Sequence, residues 1–188
     1  PPTEDNERHD ELSLHPGWSF ADAKYPRRQD LLKARNSVFE RHPKTVFIGV
    51  HFANNPEDPK TVSKWLERYP NLYVDIAARV PELGRHDPAV IRELFIKHQN
   101  RILFGTDLGF SSGGIMLGSV GRDRPRIIDI FQFLGQHIQW FESQVRQMAH
   151  PTPIQGRWRI DAIGLPKAVL QKIYTLNALR LFWDQNGL

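Results

Sequence analysis

The chain has 188 residues, a length that predicts one domain with room for a sizeable core. Hydrophobic residues make up 40% and charged residues 24%, the balance of a soluble globular protein, with a net charge of +4 from 25 basic and 21 acidic residues. The absence of cysteine excludes disulfides and thiolate metal ligands, and no apolar run approaches the roughly 20 residues of a membrane span.

The basic clusters at 24–28 and 122–126 are interrupted by Pro and by acidic or aromatic neighbours, so they read as solvated loops and not as a nucleic-acid surface. The polar amino terminus shows no signal peptide, which predicts a cytoplasmic protein. It lacks an initiator Met, which carries the expectation that the chain begins partway through a longer gene product.

Residues 1–27 lack sustained periodicity and are expected to be an irregular lead-in with one short helix, Asp5 to His15. Apolar residues at helical spacing (Leu31, Leu32, Ala34, Val38, Phe39) predict a helix from Gln29 to Arg41, stopped by His42-Pro43. A strand follows, Thr45 to His51. Asn54 to Asp58 reads as a turn and helix start, with acidic residues suited to a helix amino terminus, and Thr61 to Arg68 as the helix. A second strand is expected at Leu72 to Ala77, then a turn centred on Pro81 and a helix from Pro88 to His98. A third strand, Arg101 to Gly105, comes next. Strands separated by helices of this length imply βαβ units, a parallel sheet and right-handed crossovers. Gly109 to Pro125 reads as a long loop. A helix from Arg126 to Gln147, a Pro-rich irregular link over 150–163, and two closing helices, Pro166 to Tyr174 and Leu176 to Trp183, complete the chain.

Two strands exit into chemistry-bearing residues: Thr45-Val46-Phe47-Ile48-Gly49-Val50-His51 and Arg101-Ile102-Leu103-Phe104-Gly105-Thr106-Asp107. The ends of parallel strands are where α/β proteins place catalytic groups. The alternative is that His51 is satisfied by backbone and Asp107 caps the next turn. Arg79, just past the second strand, suits bidentate binding of a substrate carboxylate, or else a salt bridge with Glu82 or Asp75. Asp75 either points into a barrel or pairs with an arginine. His42 reads as a charge complement at a helix carboxyl end, His15-Pro16 as a loop element, and Trp18 and Trp158 as packing. Three βα units are too few for a closed barrel, so periodicity leaves a small open sheet or the last part of a barrel.

Further segments decide between these. They are Asn6-Glu7-Arg8 with His15-Pro16-Gly17-Trp18-Ser19-Phe20; Arg41-His42-Pro43 before Phe47 to His51; Tyr69-Pro70-Asn71-Leu72-Tyr73-Val74-Asp75-Ile76; Arg101 to Asp107; and Gly164-Leu165-Pro166 with Lys172-Ile173-Tyr174 and Asn177-Ala178. In order and spacing they resemble the amidohydrolase superfamily, its amidohydrolase-related TIM-barrel hydrolases and decarboxylases. The resemblance implies an α/β fold: a partial (β/α)8 TIM barrel over residues 1–188, holding about strands 6–8 with their helices and a helical carboxyl-terminal extension. It implies that His51 ends strand 6 and Asp107 ends strand 8. His51 would then bind metal or substrate, and Asp107 would bind metal and act as acid/base. A divalent metal, zinc foremost, and a small-molecule substrate go with it, the reaction being hydrolysis of a C–N, ester or lactone bond, or decarboxylation. The sequence departs from the family pattern in one way: its eight histidines contain no His-x-His pair. A second expectation follows, a catalytically incomplete half-barrel that acts as an interaction module, homo-oligomer or complementing half, since an open sheet leaves edges unpaired.

Overall fold

The computed structural model describes residues 3, 6 and 8–183. The chain opens with helix α1 (His9–Leu14), a 3-10 turn at Pro16–Trp18 and helix α2 (Arg28–Arg41). The part of the expected first helix at Asp5 and Glu7 lies outside the described residues.

Strand β1 (Phe47–Gly49), helical turn α3 (Val50–Ala53) and helix α4 (Pro59–Arg68) lead to β2 (Leu72–Asp75). A further turn, α5 (Val80–Leu83), and helix α6 (Pro88–Lys97) lead to β3 (Ile102–Leu103). The three strands form one sheet in the order β1-β2-β3, all parallel, with Phe47 opposite Leu72 and Val74 opposite Ile102. The βαβ expectation therefore holds. The helices begin where their caps dictate. The Asp58 carboxylate accepts the Thr61 N–H at 3.0 Å with Pro59 at the first helical position, and Asp87 accepts the Ala89 N–H at 2.8 Å ahead of Pro88. Asn71 ties α2 to β1 by donating to the carbonyls of Phe39, His42 and Thr45.

Alternation along β2 sorts the two sheet faces. Leu72, Val74 and Ile76 are fully buried against the helices. There they join Phe52, Leu66, Phe95, Trp140 and Phe141 in the core. The opposite face is open at β1 and its two flanking residues, where Val46, Ile48 and Val50 are 41%, 37% and 51% exposed. Among the described residues β1 has a paired strand on one side only.

Several elements differ from expectation. The glycine-rich stretch after Asp107 is an antiparallel hairpin, β4 (Leu108–Ser111) with β5 (Gly114–Leu117), joined through Ser112-Gly113. Its two-residue connection and the positive φ of Gly114 are hairpin signals that loop composition masked. Helix α7 (Ile127–Glu142) stops earlier than predicted, where Ser143 turns extended. The Pro-rich link contains two short paired strands, β6 (Met148–Ala149) and β7 (Arg159–Ile160). The two closing helices are one continuous run: α8 (Lys167–Gln171), a π-turn over Lys172–Leu176, and α9 (Asn177–Phe182). Pro81 lies inside α5 rather than in an open turn.

Candidate functional site

The expected strand ending in His51 stops two residues early. Beyond Gly49 the chain folds back so tightly that a Cβ there would stand 2.8 Å from the Ala53 Cβ. His51, Phe52, Ala53 and Asn54 then take φ values of 55°, 55°, 51° and 53°. Four successive left-handed non-glycine residues are rare, because each costs about 1–2 kcal/mol. The surroundings enforce them. Phe52 is buried and stacks on Phe95, and the His51 N–H donates to Asp75 Oδ1 at 2.8 Å.

The ring of His51 is fixed as well. Its Nδ1 lies 2.8 Å from the Ala77 carbonyl. A carbonyl only accepts, so Nδ1 carries a proton, and in the neutral ring Nε2 keeps its lone pair. A backbone carbonyl holding one ring nitrogen while the other is left bare is the arrangement of a ligating or proton-accepting histidine. Asp75 serves this turn: Oδ1 accepts the N–H of both His51 and Ala77. The arginine partner considered for Asp75 is not among its described contacts.

Asp107 stands past the end of β3, four residues beyond Leu103, with φ 64°. Gly105 brings this segment close to β2, where an added Cβ would meet the Ala77 Cβ at 3.2 Å. The Leu108 N–H goes to Thr106 Oγ1, so Thr106 caps the turn that the sequence alternative gave to Asp107. The Asp107 carbonyl accepts the Gly118 N–H at 3.1 Å and anchors the hairpin. Among the described residues its carboxylate accepts no hydrogen bond. His51 and Asp107 follow the first and third strands, which themselves lie two strand spacings, roughly 10 Å, apart with β2 between.

Arg79 follows β2. Its side chain is 16% exposed and reaches Glu82 Oε1 at 3.4 Å, the salt bridge that was one of its two sequence readings. Burial, then the charge of Arg8, lowers its pKa to about 10; Glu57, Glu11 and Asp107 act in the opposite sense. Arg8 bridges Glu11 and Glu82, and Ser119 donates to Glu11. Arg79 Nε and Glu82 Oε2 are buried without hydrogen-bond partners among the described residues. Arg8, Trp18, Arg28, Glu57 and Arg79 help line an open pocket of about 380 Å³ beside this cluster. The sequence did not single out the Arg8, Glu11 and Glu82 cluster; the i,i+3 spacings of Arg8 with Glu11 and Arg79 with Glu82 were its available signal.

Trp158 packs against the core as expected, whereas Trp18 is 48% exposed beside the open pocket. His15 donates Nε2–H to the Val120 carbonyl at 2.7 Å and stacks on Trp18. Trp158 donates to the Pro81 carbonyl and lies under Arg85.

A hydrolytic metal site needs about three protein donors and one open position. The bare Nε2 of His51 and the unbonded Asp107 carboxylate suit two of them. No group of three or more His, Cys, Asp or Glu side chains that could hold a metal occurs among the described residues. Among the described residues the donor set is thus short of a closed site.

A parallel α/β sheet with polar groups gathered past the carboxyl ends of its strands is the architecture of a strand-end active site. The amidohydrolase family model matches residues 12–183, and the chain belongs to that family. Hydrolase-type chemistry on small molecules, generally with a divalent metal, is the class this membership brings. No curated protein and no solved structure matches the chain. Among the described residues no helix is long and apolar enough to cross a membrane.

Proposed function

We propose that residues 1–188 form a single domain, the carboxyl-terminal part of a (β/α)8 barrel with β1, β2 and β3 as strands 6, 7 and 8. Its reaction is hydrolysis of a C–N, ester or lactone bond, or decarboxylation of a small carboxylated substrate. The observation that carries this reading is the placing, past the same end of one sheet, of a His51 Nε2 bared by the Nδ1–Ala77 bond and an Asp107 carboxylate that accepts no hydrogen bond among the described residues.

In this reading His51 Nε2 and Asp107 are two of the donors to a divalent cation, zinc by family, that supplies Lewis-acid chemistry when bound. Asp107 also moves the proton: it takes one from the attacking water and returns it to the leaving nitrogen or oxygen. Arg79 orients the substrate carboxylate from the wall beside them. Titration of the chain with Zn²⁺ or Co²⁺ tests the pair. We expect saturable binding that weakens by tenfold or more, on the order expected for loss of a ligand, in both His51→Gln and Asp107→Asn. Binding that is absent, or that both variants retain, overturns the assignment.

A second reading, an interaction module or one half of a complemented barrel, is favoured by the open face of β1. Val46, Ile48 and Val50 form an exposed apolar row beside the unpaired edge, and Ile127, Ile128 and Phe131 expose a stripe on α7.

A further inference from the structure

The left-handed turn that carries His51 uses its own backbone for three carbonyls. Those of Val50 and His51 accept the Asn54 N–H, and that of Phe52 accepts the Asn55 N–H. The carbonyls of Ala53 and Asn54 are met from another element. Arg35 on α2 donates to Ala53 O at 2.5 Å, and Arg28, two turns earlier on the same helix, donates to Asn54 O at 2.7 Å.

Arg28 is exposed and also pairs with Glu57. Arg35 is different. Its guanidinium lies over Trp65 at 4.6 Å and Phe39 at 5.4 Å, and its Nε and Nη2 donate to Asn36 Oδ1. Among the described residues it forms no ion pair with a carboxylate. A partly buried cation set against two aromatic rings thus directs its charge at a main-chain carbonyl. A carbonyl in a turn with four left-handed residues is a place where such a bond decides the backbone conformation.

We infer that Arg35 is the positioning residue of His51: by pinning the Ala53 carbonyl it holds the left-handed turn that sets the ring against Ala77 and leaves Nε2 bare. No part of Arg35 needs to touch substrate. The inference rests on the reading of His51 as a ligand- or substrate-facing group. Its physical core, the control of one ring tautomer by a helix arginine, can be read without any activity.

The experiment is a long-range ¹H–¹⁵N spectrum of the histidine rings in the chain without added metal, at a pH where the rings are neutral. His137 is the internal control, because its Nδ1 is likewise bonded to a main-chain carbonyl, that of Phe133 at 2.8 Å, and its described contacts do not include Arg35. In the wild type both rings should be Nδ1–H. In Arg35→Met, which keeps the stacking bulk and removes the donors, the Nδ1–H form of His51 should cease to dominate while His137 stays unchanged. Arg35→Lys, whose ammonium can still donate to Ala53 O, should retain the wild-type pattern. An unchanged His51 in Arg35→Met overturns the inference, as does a joint change of His51 and His137, which would mark general loosening. Failure of cation binding in the wild type would sink the metal reading and leave this tautomer result standing.

Discussion

His137 and His98 are buried as neutral rings. His137 is 1% exposed, edge-on to Phe133 and Phe104, and burial pushes its pKa down to about 4. His98, bonded through Nε2 to the Ser63 hydroxyl, is brought down to about 4 by burial first and then by Arg101 and Lys97. An unfolded histidine takes its proton near pH 6.5, whereas these folded rings wait until about pH 4. Between those values the unfolded chain binds more protons, so stability falls as the pH falls; above the window neither ring contributes. Urea titrations should therefore show stability declining from about pH 6.5 to about pH 4, by roughly 1.4 kcal/mol per pH unit per ring at most. His137→Phe should flatten that slope by about one proton. A slope identical in the variant would show that His137 is charged, or solvated, in the fold. Asp58 acts in a different window: its carboxyl is held below the usual range first by the Thr61 hydroxyl, so its contribution is lost only as pH falls below that of a free carboxylate.

At the scale of elements, the carboxyl-terminal helix is fastened to the β3 segment by several bonds, Arg180 to the Asn100 carbonyl and Lys172 to Gln99 among them, and Asn177 is the buried one. Asn177, 2% exposed, donates from Nδ2 to the carbonyls of Gln99 and Ile102 at 2.7 and 2.8 Å. It stands where the π-turn gives way to α9, so the wider turn and the docking amide share one position. Asn177→Ala leaves both carbonyls unmet and should cost about 1–3 kcal/mol, read as a lower midpoint in chemical denaturation with an unchanged slope. A loss under a few tenths of a kcal/mol would mean that water takes over both bonds. The sequence made helix positions legible here because caps are local: Asp58-Pro59 and Asp87-Pro88 announce their helices within four residues. Strand ends were less legible. Thr45 to His51 has continuous strand propensity, yet Gly49 admits a close turn whose partners, Asp75, Ala77, Phe95 and the arginines of α2, lie distant in sequence. Asp107 was located by the same run-then-glycine pattern, but the hairpin after it was hidden because Leu108, Phe110, Ile115 and Leu117 alternate over too few residues around Ser112-Gly113 to outweigh a loop-like composition.

For the whole molecule, the decisive property is asymmetry between the two sheet faces. One is sealed by helices and aromatic side chains, while the other shows Val46, Ile48 and Val50 beside an edge that has no partner strand among the described residues. Under the interaction reading the chain should associate in sedimentation at micromolar concentrations, and Ile48→Lys combined with Phe131→Lys should return it to a monomer without lowering its melting temperature. A well-folded wild-type monomer that acquires no partner at high concentration would exclude that reading.

The charged cluster at the amino terminus has a kinetic meaning. Glu11 receives the Ser119 hydroxyl across 108 residues, and Arg157 grips Asp10 across 147. Closing such long loops is entropically costly until the rest of the chain has brought the ends together. The segment from Arg8 to Trp18 is therefore expected to dock last in folding and to open first in hydrogen exchange, making the wall beside Arg79 the least persistent part of a site whose His51 turn is among the most firmly held.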